Sequence, residues 1–137
     1  MSKAEREEYL SRPHVGIISI AQEGHGPLAV PVWYGYEPGG DVHVLMGAES
    51  KKARLIEASG RFTMTVQREA LPYKYVMAEG PVVDTRPADT ETDTRPMARR
   101  YLGDEMGDQY VTDGSDDSSI VVTMRPERWY STDYGKA

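Results

Sequence analysis

A short basic segment, residues 49–58, carries the residues of this sequence that are best suited to bind an anion. Ser50 is a typical N-cap, because its hydroxyl can accept a hydrogen bond from a free N–H group at a helix start. Lys51 and Lys52 would then lie in the first turn, where the helix dipole disfavours cations by roughly 0.3–1 kcal/mol each. An anion there would contact free N–H groups, dipole and ammonium groups together. The segment predicts a phosphate site; the alternative is a solvated basic helix start without a ligand.

Other reactive side chains are sparse in this sequence. There is no cysteine, which excludes thiol catalysis, disulfides and cysteine-bound metals. His14, His25 and His43 belong to no recognisable catalytic or metal-binding signature, and we interpret each as a structural or surface histidine. A phosphate site without reactive side chains is typical of a protein whose cofactor performs the chemistry, which favours a redox function.

An acidic group near the C-terminal end has the type of side chain that binds calcium. Asp113, Asp116 and Asp117 lie close together, but they lack the twelve-residue loop pattern that ends in a glutamate. We interpret them as solvated acids, and the sequence predicts no metal site.

Length and charge limit the class of protein. The 137 residues correspond to one domain, and the net charge of −6 argues against binding to nucleic acid or to an anionic membrane. No apolar run approaches the roughly 20 residues of a transmembrane helix, and no signal-peptide pattern is present. We therefore expect a cytoplasmic protein.

Six segments have the hydrophobic pattern of strands. In chain order they are residues 14–21, 28–36, 42–47, 61–68, 73–86 and 120–125. Helices are predicted within residues 1–12, from Ser50 to Gly60, and from Ala88 to Gly103 in a helical and loop insertion at 87–118. The polar segment 112–119 is interpreted as a loop. Hairpin-joined strands of similar length predict one small antiparallel barrel over residues 1–137, because closure removes exposed sheet edges.

One predicted strand contains an unusual proline. Pro31 cannot donate to a strand ladder, so segment 28–36 must be bulged or lie at a sheet edge, where unpaired backbone can face a ligand. Aromatic side chains near strand ends could pack against a planar ring, although core or dimer contacts explain them equally well. These aromatics are Trp33, Tyr73, Tyr75 and Trp129.

Four segments in fixed order resemble the pyridoxamine 5′-phosphate oxidase-like split β-barrels, and more narrowly their flavin/deazaflavin oxidoreductase branch. They are residues 28–34, 50–55, 60–62 and 79–82, and the resemblance spans roughly residues 10–134. It implies a mainly β, six-stranded antiparallel split β-barrel of Greek-key type with two to three short helices. It also implies a homodimer with coenzyme F420 or FMN bound between the barrels.

The resemblance further implies which residues bind the cofactor. They are Val30, Pro31, Val32, Trp33, Met46, Gly47, Ser50, Lys51, Lys52 and Gln67. Residues 50–52 would hold the phosphate, residues 30–33 would run along the ring system, and Gln67 would reach the site of the partner subunit. Met46 stands where many relatives carry a hydroxyl residue.

The function implied is hydride transfer between F420 or FMN and a small organic substrate that the sequence does not identify. No side chain is assigned as a catalytic acid or base. The alternative is a non-catalytic module of the same fold that binds a flavin or haem-related ligand or carries a cofactor. Pyridoxamine phosphate oxidase activity itself is not expected, since the arginine- and histidine-rich C-terminal segment of those enzymes is missing here.

Overall fold

Strands dominate the computed structural model, which describes residues 1–114 and 118–136. The described strands are β1 (Gly16–Gln22), β2 (His25–Val32), β3 (Tyr34–Gly35), β4 (Val42–Gly47), β5 (Arg61–Arg68), β6 (Lys74–Pro87), β7 (Ser119–Met124) and β8 (Arg128–Asp133). The α-helices are α1 (Lys3–Ser11), α2 (Lys51–Ser59), α3 (Arg95–Leu102) and α4 (Asp104–Asp113). A π-helical turn precedes α3, and a 3₁₀ turn follows β8. None of the described helices is long and apolar enough to cross a membrane.

All strands join one curled antiparallel sheet in the order β2-β1-β5-β6-β7-β4-β3, with β8 paired to β6. The long strand β6 makes the curl, since its first part pairs with β5 and β8 and its second part pairs with β7. The prediction of a mainly β fold is confirmed.

The predicted count of six strands is wrong, because the described chain contains eight. Segment 28–36 is interrupted at Trp33, which separates β2 from β3. Residues 128–133 form β8, which pairs with β6. This strand is not evident in the sequence, because it closely follows Pro126 and mixes polar and aromatic residues without clear alternation. The expectation for Pro31 is confirmed, since β2 lies at the end of the strand order.

The helix prediction fails in the insertion, where the described chain has a fourth α-helix. The helix predicted at the start of the insertion is confirmed as the π-helical turn and α3. Helix α4 was missed because it buries only Gly107 and Val111, so its hydrophobic period is weak. Thr112 and Asp113, assigned to a loop, lie in its last turn. Asp116 and Asp117 of the acidic group lie outside the described residues.

Helices α3 and α4 form a tight hairpin. A Cβ atom on Gly107 would lie 2.7 Å from the Arg99 backbone, so the two helices approach closely only because this residue has no side chain. Asp108 binds Arg95 at 2.7 Å and Arg99 at 2.8 Å. Hydrogen bonds from Arg99 and then Arg95 lower the pKa of Asp108 to about 2.

The barrel core comes from the alternating positions that the sequence predicts. Phe62, Met64 and Val66 of β5 are buried, as the period of two requires. Helix α1 closes one side of this core, because the buried Tyr34 hydroxyl donates to the Leu10 carbonyl at 2.7 Å.

Gly80 lies where β6 changes partners. A Cβ atom there would be 1.8 Å from the Arg125 carbonyl oxygen, a distance that no side chain tolerates. The close approach is fixed on both sides, since Arg125 N–H donates to the Pro81 carbonyl at 3.0 Å and Glu127 N–H donates to the Glu79 carbonyl at 2.8 Å. The curl of the sheet therefore depends on glycine at this position.

We expect Gly80→Ala to lower the free energy of unfolding by about 1–3 kcal/mol, since overpacking forces the backbone apart. Equilibrium urea unfolding measures this change. Gly26→Ala is the matched control, because a Cβ on Gly26 of β2 meets no atom within 4 Å. Equal urea midpoints for the two variants would contradict the role assigned to Gly80.

We expect Asp108→Asn to loosen the α3–α4 hairpin in a pH-dependent way. The folded pKa of about 2 lies below the ordinary value of 3.8, so the ionised Asp108 stabilises the fold above that value and loses this effect as pH falls toward 2. Urea unfolding should show a lower midpoint for the variant at neutral pH and a smaller difference near pH 2. Asp41→Asn is the control, since no described ion pair involves Asp41. A difference that is independent of pH would refute the ion-pair explanation.

Candidate functional site

A cavity of about 510 Å³ lies between the start of α2, strands β2 and β4, and the α3–α4 hairpin. Its volume is typical of small-molecule sites. Its lining residues are Val15, Pro31, Val32, Trp33, Leu45, Met46, Gly47, Lys52, Thr94, Met97, Ala98, Tyr110 and Ser119. We call it the Trp33 cavity.

The helix start predicted at Ser50 is present. The Ser50 hydroxyl accepts from the Ala53 N–H at 3.2 Å and donates to the Gly47 carbonyl at 2.7 Å, so its hydrogen is already used within the fold. The backbone N–H groups of Lys51 and Lys52 have no partner among the described residues, as expected for the first turn of a helix. Gly60, with φ of 72°, ends the helix.

The two lysines of this turn occupy different positions. Lys52 is half-buried and lines the Trp33 cavity, whereas Lys51 is exposed and does not line it. Within the described chain, neither ammonium group has a carboxylate partner. The cavity is therefore lined by one lysine without a carboxylate partner in the described chain, and this lysine belongs to the first turn of α2.

Trp33 stands at the break between β2 and β3 and is held there by α3. Its ring stacks on Tyr101, with ring centroids 5.1 Å apart and an angle of 6° between the planes. The Tyr101 hydroxyl accepts from the Tyr34 N–H at 3.0 Å and donates to the His14 carbonyl at 2.7 Å. These bonds satisfy backbone groups that the interrupted strand leaves without strand partners.

A second tyrosine contacts Trp33 from α4. The Tyr110 ring centroid lies 5.3 Å from that of Trp33, with an angle of 50° between the planes. Tyr110 is 49% exposed, and its hydroxyl has no hydrogen-bond partner in the described part of the chain. The sequence does not predict these contacts of Tyr101 and Tyr110 with Trp33, because no local pattern links residues of the insertion to Trp33. The only sequence signal was the presence of aromatic residues in an otherwise charged segment.

The structure brings six of the predicted cofactor-binding residues together around the Trp33 cavity. They are Pro31, Val32, Trp33, Met46, Gly47 and Lys52. Val30 is half-buried against the core, and Ser50 acts through the helix start. Gln67 lies elsewhere, in a separate cavity of about 560 Å³ that also contains Tyr73 and Tyr75. Trp129 packs on Tyr36, with ring centroids 6.1 Å apart.

A neighbouring cavity of about 490 Å³ shares Leu45 and Met97 with the Trp33 cavity. His43 lies there, with Nδ1 3.0 Å from the Thr123 hydroxyl oxygen. Residues 1–114 and 118–136 contain no cluster of His, Asp and Glu side chains that could hold a metal ion.

Comparison with known proteins identifies the fold. No protein-family model and no curated protein matches the sequence. Among solved structures, a protein named F420 reductase is 23% identical with a TM-score of 0.76, over 90% of this chain and 94% of that one. A FAD-binding protein from Mesorhizobium loti is 18% identical with a TM-score of 0.67, over 96% of this chain and 92% of that one.

A pyridoxamine 5′-phosphate oxidase-like protein from Listeria innocua has the same arrangement. It is 13% identical with a TM-score of 0.61, and 93% of each chain is covered. At these identities the likeness concerns the fold. The chain shares the fold of these proteins, which confirms at the level of the fold the resemblance to pyridoxamine 5′-phosphate oxidase-like split β-barrels seen in the sequence.

Proposed function

We propose that this protein is an oxidoreductase that uses coenzyme F420 or FMN to transfer a hydride to or from a small organic substrate. The observation that carries this proposal is the Trp33 cavity, which is lined by Lys52 from the first turn of α2 and by the Pro31–Trp33 segment. The likeness in fold to an F420 reductase and to a FAD-binding protein supports the same class of cofactor.

The phosphate of the cofactor would bind at the start of α2. The Lys52 ammonium and the N–H groups of Lys51 and Lys52 have no partner in the described chain. These donors and the positive end of the helix dipole both favour a phosphate group. Ser50 fixes the geometry of this turn through its bonds to Gly47 and Ala53. The exposed Lys51 side chain contributes charge at longer range, where solvent screens it.

The ring of the cofactor would lie along Pro31, Val32 and Trp33. This segment ends an edge strand, so its outer side has no neighbouring strand in the described sheet to occupy its backbone groups. When bound, the cofactor supplies the hydride chemistry, while the protein binds it, orients it and excludes water. The α3–α4 hairpin would contribute to the last of these roles, because its residues Met97, Ala98 and Tyr110 line one side of the cavity.

A binding module without turnover is the second candidate, in which the same cavity holds a flavin or a haem-related ligand. The observation that favours it is the absence of any carboxylate or imidazole among the described lining residues, which leaves Lys52 as the one ionisable group besides Tyr110. Stopped-flow reduction and reoxidation of the bound cofactor with candidate substrates separates binding from turnover.

We also propose a homodimer that completes each site. The Trp33 cavity is open at its surface, and Val15 at its edge is 57% exposed. The exposed Gln67 would extend toward the cavity of the partner subunit.

We expect Lys52→Ala to weaken cofactor binding about tenfold to a hundredfold, since a charge-assisted hydrogen bond contributes roughly 1.5–3 kcal/mol. Absorbance titration of the purified protein with FMN and with F420 measures both affinities and identifies the preferred cofactor. Lys51→Ala is the matched control on the same turn, and its effect should be smaller because that side chain is exposed.

The titration has two outcomes that contradict the proposal. Unchanged affinity in Lys52→Ala would refute the phosphate assignment. Failure of the unmodified protein to bind either cofactor would refute the oxidoreductase function itself.

Sedimentation equilibrium should give twice the mass of one chain for the unmodified protein. We expect Val15→Lys, which places a charge at the exposed edge of the cavity, to shift the equilibrium toward the monomer and to weaken cofactor binding in parallel. Val83→Lys is the control, since Val83 is similarly exposed at 44% on another strand and does not line the Trp33 cavity. A monomer that binds cofactor with full affinity would contradict a shared site.

A further inference from the structure

We propose that the substrate of this site is an uncharged, flat and largely apolar molecule, and that Tyr110 is the residue that selects it. The inference rests on the proposed function and extends it to the class of substrate. Two independent observations lead to it: the distribution of charge around the Trp33 cavity, and the different bonding of the two tyrosines that contact Trp33.

The charge of the Trp33 cavity is confined to one end. Lys52 is the one formally charged residue among its described lining residues, and the other polar groups are the indole N–H of Trp33 and the hydroxyls of Thr94, Tyr110 and Ser119. A phosphate bound at Lys52 would neutralise that charge. The remaining described lining would then offer no charged partner to an ionised group, and burying a charge without an ion-pair partner is unfavourable. An anionic or cationic substrate is therefore disfavoured.

The neighbouring cavity shows that this chain does not avoid charge in general. Its described lining includes five charged residues, which are Glu37, Asp41, Arg86, Asp93 and Arg100. Met97 and Leu45 separate it from the Trp33 cavity, because both residues line both spaces. The uncharged lining is thus a property of the Trp33 cavity in particular.

The two tyrosines beside Trp33 differ in what holds them. Tyr101 is fixed, because its ring stacks on Trp33 and its hydroxyl bonds to the backbone of Tyr34 and His14. Tyr110 makes the tilted ring contact only, and its hydroxyl is free within the described chain. Tyr101 is therefore held by the barrel backbone, whereas Tyr110 lines the cavity with a side chain whose hydroxyl has no partner in the described chain.

Such a pair of aromatic side chains favours a flat ligand. Aromatic rings attract one another in offset-stacked or edge-to-face geometry, and tyrosine loses little conformational entropy when it is immobilised. The Tyr110 hydroxyl can donate to one oxygen or nitrogen acceptor on the ligand. A molecule with a flat apolar body and one neutral acceptor satisfies each of these groups.

Saturation-transfer NMR with two probes that share a ring system tests the charge preference. 2-Naphthol is uncharged at neutral pH, and naphthalene-2-sulfonate carries a negative charge on the same ring. On the cofactor-loaded protein we expect naphthol to bind at least about tenfold more tightly than the sulfonate. Equal binding of the two probes would overturn the inference.

Three variants test the role of Tyr110 with the same probes. We expect Tyr110→Ala to weaken naphthol binding about threefold to tenfold, as expected for one aromatic pair, and Tyr110→Phe to weaken it less by removing the hydroxyl alone. Tyr130→Ala is the matched control, since Tyr130 is 67% exposed on β8 and does not line the cavity. Unchanged naphthol affinity in Tyr110→Ala would overturn the assignment of this residue.

Failure of the inference and failure of the proposed function give different results. Cofactor affinity should fall much less in Tyr110→Ala than in Lys52→Ala, because the phosphate binds at Lys52, so an equal loss of cofactor affinity in the two variants would contradict a role of Tyr110 toward the substrate. If neither cofactor binds, the same probes are applied to cofactor-free Lys52→Ala, in which the cavity lining has no formal charge. Naphthol that binds to Lys52→Ala but not to the double variant Lys52→Ala, Tyr110→Ala supports the role of Tyr110. Absence of naphthol binding to Lys52→Ala overturns that role.

Discussion

The hydroxyl group of Tyr101 is the contact on which the candidate site depends. It accepts from the Tyr34 N–H and donates to the His14 carbonyl, so one side chain of the helical insertion joins two segments of the barrel. Buried backbone groups without partners are costly, and the break between β2 and β3 would create them. The insertion is thus part of the barrel's hydrogen bonding, and its position over the Trp33 cavity is fixed by that requirement.

Fixing the insertion also decides how Trp33 can be used. One face of its ring is covered by Tyr101, so a ligand can approach only the remaining edge and face, next to Tyr110. The tight packing of α3 and α4 at Gly107 places Tyr110 next to Trp33, because α4 could not approach α3 as closely with a larger residue at position 107. A cavity wall is built in this way from residues that are far apart in the chain.

Much of the fold could be predicted from local pattern. The helix from Ser50 to Gly60 and the strand Arg61–Arg68 are specified by caps and alternation within a few residues, and both are present. Helix α4 could not be predicted because it buries only Gly107 and Val111, and strand β8 could not be predicted because it owes its place to the distant first half of β6. The same difference between local and long-range contacts applies to the site. The Pro31–Trp33 segment was expected at the cavity from the sequence, whereas the contribution of Met97, Ala98 and Tyr110 from the insertion was not.

The two lysines at the helix start show why the sequence motif alone does not tell which lysine lines the cavity. Lys51 and Lys52 are equivalent in sequence, but successive helical residues point about 100° apart, so one turn cannot direct both toward the same cavity. The junction of β4 with α2 fixes the rotation of that turn, through the Ser50 hydroxyl bonded to Gly47. Lys52 is consequently directed to the cavity and Lys51 to solvent. The junction of β4 with α2 therefore determines that Lys52, and not Lys51, lines the cavity.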